Sequence, residues 1–80
     1  MPKLKRLSGK QVVQIFSQFD FVVKSQRGSH IKLQRFVNNA KQSLTIPAHS
    51  EIDTGTLKAI LRQATQYISM SELQSFFYTD

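Results

Sequence analysis

The sequence predicts an α+β domain in two layers: an α-β-β-β-α order in which a three-stranded antiparallel sheet carries its helices on one face. Three observations predict it. Apolar residues recur at helical spacing in two segments, residues 8–19 and 53–64. Between them, residues 21–46 switch to a period of two and are rich in β-branched and aromatic side chains. The links inside that stretch are too short for crossovers, so consecutive strands must pair as a meander.

The first helix is expected over residues 8–19. Ser8 can cap it by accepting from an unpaired amide one turn in, and Val12, Val13, Ile15, Phe16 and Phe19 form its apolar stripe. In residues 21–26, Phe21, Val23 and Ser25 alternate with Val22, Lys24 and Gln26, which predicts a strand. Arg27-Gly28-Ser29 signals a turn, with Gly28 free to take positive φ. The second strand, 30–36, alternates again. Ile31, Leu33 and Arg35 share one parity and His30, Lys32, Gln34 and Phe36 the other; with Ile31 and Leu33 facing the core, His30, Lys32 and Gln34 line the open face. Asn38-Asn39 marks the next turn, and residues 42–46 form a third strand ended by Pro47, which lacks a donor for the ladder. After a loop at 48–52, Asp53 or Thr54 can cap a helix whose Leu57, Ile60, Leu61 and Ala64 make one buried stripe. A short helix is expected at 71–77, opening with Ser71. The expected organisation is therefore one domain at 1–66, with its core at 8–64, and a C-terminal tail at 67–80.

Eighty residues allow a single domain with a thin core, burying about 60–65% of the surface its unfolded chain exposes. With no cysteine, two histidines and five carboxylates, neither a disulfide framework nor a metal site is expected. No run approaches the roughly 18 apolar residues that span a bilayer, and the basic N-terminal tip leads into no signal-peptide segment. No membrane association is expected, and cytoplasm is the expected compartment. The charge says more. Residues 1–41 carry nine bases against Asp20 alone, a balance of +8, whereas residues 42–80 balance to −2. Such a basic half suits a polyanion such as nucleic acid; its plain alternative is ordinary solubilising charge. A polar, basic sheet face opposite two helices is the arrangement of double-stranded RNA-binding domains, which read helical shape, phosphates and 2′-hydroxyls.

Three motifs in order strengthen that reading. Arg27-Gly28-Ser29-His30 is similar to the GSH motif of the HicA toxins. Leu44-Thr45-Ile46-Pro47-Ala48-His49 resembles that family's T-hydrophobic-P-x-H segment, and residues 51–64 resemble its I-x-x-G-T-L-x-x-I-L-[KR]-x-A helix. The resemblance covers roughly residues 8–64. It implies a double-stranded RNA-binding-domain-like fold and a ribosome-independent mRNA interferase, an endoribonuclease toxin held in check by a HicB-type antitoxin. It also implies that His30 is the catalytic histidine, in a setting made lysine-rich by Lys24, Lys32 and Lys41. The extension before Ser8 and the segment at 67–80 exceed the family pattern, and no role carries over to them.

The chemistry implied needs no metal or cofactor. A base that takes the proton of an RNA 2′-hydroxyl lets it attack the adjacent phosphorus, giving a cyclic phosphate and a free 5′-hydroxyl. Histidine suits the step because its intrinsic pKa near 6.5 keeps both protonation states accessible, and such proton transfer contributes roughly 10² to 10⁴ in rate. One histidine performs half of the exchange; water or a second group must do the rest. Gly28, Ser29 and His49 are the candidates for a second catalytic or positioning role. Gly28 could admit a phosphate close to the backbone, and Ser29 could hold a phosphoryl oxygen or orient His30, although a plain hairpin uses the same residues. His49 could supply the second proton or merely fix its loop. Lys24, Arg27, Lys32, Arg35 and Lys41 are the expected phosphate contacts, against the simpler role of solvating an open face. Phe76, Phe77 and Tyr78 could stack bases, but read better as a cap on a thin core or an edge that meets a partner. The expected partners are thus RNA and an antitoxin, with a monomer when free. The competing functions are a non-catalytic RNA-binding module of the same fold and an inactive interaction protein.

Overall fold

The computed structural model describes residues 2–79; Met1 and Asp80, the outer ends of the two expected segments, lie outside the described residues. In chain order the elements are β1 (Lys3–Leu4), α1 (Gly9–Ser17), β2 (Val22–Arg27), β3 (His30–Val37), β4 (Ala40–Pro47), α2 (Thr54–Ala64), α3 (Met70–Phe77) and β5 (Tyr78–Thr79). The sheet order β2-β3-β4, antiparallel throughout, is the expected meander.

Local chemistry sets each boundary. Ser8 accepts from the Gln11 amide at 3.1 Å while the Gln11 side chain accepts from the Ser8 amide at 2.9 Å, so α1 opens with a reciprocal capping box. The helix stops at Ser17, two residues short of the expected end. The amides of Phe19 and Phe21 both donate to the Phe16 carbonyl, and Asp20 takes φ of 72° to reverse the chain. At the first hairpin Gly28 has φ of 56° and Ser29 stays out of the left-handed region, the pattern of a type II′ turn. Asn38 and Asn39 both have positive φ, as a type I′ turn requires. Both turn types match the right-handed twist of the flanking strands, which fixes the register of three strands from two dipeptides.

The strands bury one face. Ile31 and Leu33 of β3 and Leu44 and Ile46 of β4 meet Val12, Ile15 and Phe16 of α1 and the expected α2 stripe in a single core. Phe16 lies at its centre, with ring centroids 5.9 Å from Phe21 and 5.6 Å from Phe77. β2 departs from simple alternation. A register shift between Val23 and Ser25 leaves Lys24 without a cross-strand partner, and every residue of this edge strand is exposed.

Residues 67–79 are packed more closely than an appended tail. Ile68, Leu73 and Phe77 are buried in the same core, and Tyr78–Thr79 pairs with Lys3–Leu4 in a two-stranded ribbon. α3 is capped by Ser69 rather than Ser71, since Ser69 and Glu72 form a second capping box. Phe77 is fully buried and Phe76 packs edge-on against Phe19 at 5.5 Å, so these rings cap the core.

Candidate active site

The pairing register lays out the open face as rungs. Arg27, His30 and Pro47 form the first, at the hairpin end; Ser25, Lys32 and Thr45 the second; Val22, Gln34 and Ser43 the third; and Phe36 with Lys41 the fourth. Every side chain on these rungs points away from the helices, because their neighbours Ile31, Leu33, Leu44 and Ile46 point into them. Residues 21–50 contain no acid, so Arg27, Lys32 and Lys41 on these rungs meet no opposing charge from the strands themselves.

His30 is exposed at the start of β3. With Ser25, Arg27, Lys32 and Thr45 it lines a shallow hollow of about 380 Å³. Two cations and two hydroxyls thus converge around one imidazole. Such a hollow can hold a phosphate through Arg27 and Lys32, with hydroxyl donors at its wall. The sequence did not single out Ser25 and Thr45. The signal was available, since both fall opposite Lys32 once the turns fix the register.

The other expected residues divide. Gly28 serves the turn through its positive φ. A Cβ placed there would meet no atom within 4 Å, so the backbone is not tightly approached from within the protein. The Ser29 carbonyl accepts from the Ala48 amide at 2.7 Å, which ties the hairpin to the chain leaving β4. His49 lies elsewhere. With Lys10, Val13, Val23, Ile31 and Ala48 it lines a larger, mostly apolar cleft of about 670 Å³ between α1 and the helix-facing side of β2 and β3. This larger cleft does not contain His30. The polar hollow is the better candidate, because its side chains carry the proton-transfer and anion-binding chemistry. His49 fixes its loop through its backbone, accepting from the Gly9 amide at 2.9 Å.

Among the five expected phosphate contacts, Arg27 and Lys32 line the hollow, Lys41 lies farther along the same face, and Lys24 projects from the bulged edge. Arg35 does not belong with them. It follows the parity of Ile31 and Leu33, and its guanidinium turns to the helix side. There it donates to the Phe19 carbonyl and Gln42 Oε1, each at 2.7 Å, and to the Tyr67 carbonyl at 3.3 Å. It also lies 4.7 Å over the Phe21 ring. Its role is to join β3 to two chain segments. Among the described residues, no three histidine or carboxylate side chains gather where they could hold a metal ion, and no helix is long and apolar enough to cross a membrane.

A family model described as the HicA toxin of bacterial toxin-antitoxin systems matches residues 9–65. No curated protein and no solved structure matches the chain.

Proposed function

The chain belongs to the HicA toxin family, and from that premise we propose that it is an mRNA interferase, a metal-independent endoribonuclease that uses His30 and is silenced by a HicB-type antitoxin. The observation that carries the reading is the convergence of Arg27, Lys32, Ser25 and Thr45 around the exposed His30 imidazole. An RNA phosphodiester set in that hollow meets Arg27 and Lys32 with its non-bridging oxygens. His30 takes the proton of the neighbouring 2′-hydroxyl, whose oxygen attacks phosphorus. The P–O5′ bond breaks, leaving a 2′,3′-cyclic phosphate on one fragment and a 5′-oxygen on the other. That oxygen takes its proton from solvent, since His49 lines a different cleft. As the pentacoordinate phosphorane forms, its added negative charge falls to the two cations.

The test is inducible expression in a bacterial host beside a His30→Ala variant, followed by growth and bulk messenger RNA integrity. The parent should arrest growth and fragment transcripts, and the variant should do neither. Purified, the variant should lose roughly 10² to 10⁴ in cleavage rate while still binding RNA. Soluble expression of the parent with intact transcripts would defeat the nuclease reading and leave an RNA-binding or protein-binding role.

A further inference from the structure

Phe36 is 62% exposed, on the same strand and the same face as His30. A lone exposed ring is ordinary on a protein surface, so its surroundings must decide what it does. Its direct cross-strand partner is Lys41, and the next rung holds Gln34 and Ser43, with Val22 at the edge. Lys32 stands one rung beyond; residues 21–50 contain no acid, and Asp20 lies in the turn that precedes β2. A surface built to dock another protein gathers apolar side chains around such a ring. Here its closest ladder neighbours are polar or cationic. A flat π face beside a lysine, on strands that carry no acid, matches what a nucleotide offers, a base to stack and a phosphate to pair.

We infer that Phe36 stacks an unpaired base of the RNA whose backbone crosses His30, with Lys41 pairing the adjacent phosphate. The inference rests on the RNA reading above and extends it to a second contact point. Six residue steps along an extended strand separate the two positions, about 20 Å at the usual rise per residue. The base held at Phe36 is therefore several nucleotides from the bond that is cut. Because every base has a π face, the contact favours single-stranded over duplex RNA and tolerates sequence.

The experiment measures binding in a His30→Ala background, so that the RNA survives, using a short labelled single strand of mixed sequence and the same sequence as a duplex. Adding Phe36→Ala should weaken single-strand binding on the order of 10- to 100-fold, leave duplex binding nearly unchanged and keep the salt slope. Lys41→Gln should instead lower that slope by about 0.7. Phe36→Trp should retain affinity, with indole fluorescence quenched by the RNA but not by inorganic polyphosphate. Single-strand affinity unchanged by Phe36→Ala overturns the inference, and so does loss of antitoxin rescue with RNA binding intact, which assigns the ring to a protein partner. The two readings fail separately. If the parent cleaves RNA and Phe36→Ala binds as well as its parent, only the stacking contact falls. If transcripts stay intact and Phe36→Ala still weakens binding, only the nuclease reading falls.

Discussion

Arg35 and Lys32 lie three positions apart on β3, both basic, and the pleat gives them opposite tasks. The Arg35 guanidinium holds the Phe19 and Tyr67 carbonyls on the helix side, whereas Lys32 stands in the His30 hollow. Arg35→Ala leaves two backbone acceptors short of a donor and removes a cation from the Phe21 ring. It should cost about 2–4 kcal/mol in denaturant unfolding without altering the salt slope of RNA binding. Lys32→Ala should do the reverse, changing stability by no more than about 0.5 kcal/mol and lowering the salt slope by about 0.7. If Arg35→Ala weakens RNA binding at full stability, its guanidinium reaches the open face after all. Sequence parity already paired Arg35 with Ile31 and Leu33. What parity could not supply were the two carbonyls, which come from the turn after α1 and the residues after α2 and become neighbours only on folding.

At the scale of elements, helix ends govern how the sheet meets its helices. A Cβ on Gly9 would overlap the Pro47 carbonyl oxygen, and the Gly9 amide bonds the His49 carbonyl, so α1 starts hard against the end of β4. Gly9→Ala must push the two apart and should destabilise by about 1–3 kcal/mol, read as a fall in Tm, although alanine is the better helix former. Asp53 governs the start of α2. The Thr56 hydroxyl and then the Thr56 amide, at 2.7 and 3.0 Å, hold its carboxyl below the ordinary value of 3.8. The native state therefore binds fewer protons than the unfolded chain in that range. The cap's contribution is complete above 3.8 and is lost as pH falls through the lowered native value. Asp53→Asn keeps an N-cap and removes the titration, so its stability should fall less on acidification than the parent's. Equal acid slopes would show that other carboxylates set the acid limb. Periodicity made α1, the three strands and α2 legible, and the turn dipeptides set their register, which put His30 and Lys32 on one face. The β2 bulge was not legible, because Val22, Val23 and Lys24 carry no bulge signal. The Ser69–Glu72 capping box could have been read, since it has the S-x-x-E spacing. The β1–β5 ribbon could not, because a pair of two-residue strands has no period to detect.

For the whole molecule, what counts as the domain depends on the part of the core that the C-terminal segment supplies. Ile68, Leu73 and Phe77 are buried in the same core as Phe16 and Phe21, with Phe77 against Phe16, and Leu4 pairs with Tyr78 to close the two ends of the chain. Removing one buried leucine, isoleucine or phenylalanine costs about 2–5 kcal/mol, against a total stability of roughly 5–15 kcal/mol for a domain. A chain ending at Gln66 lacks three such side chains at once and opens the face of α1 they cover. It should show no cooperative thermal unfolding, although it retains His30, the basic hollow and the whole of the family-matched segment. The finer variants Leu73→Ala and Phe77→Leu separate loss of packing from loss of chain length: both should lower Tm while leaving cleavage per folded molecule unchanged. A cooperative transition in the shortened chain would instead make residues 8–64 a self-sufficient core and the last helix an accessory, free to serve as a surface for a partner.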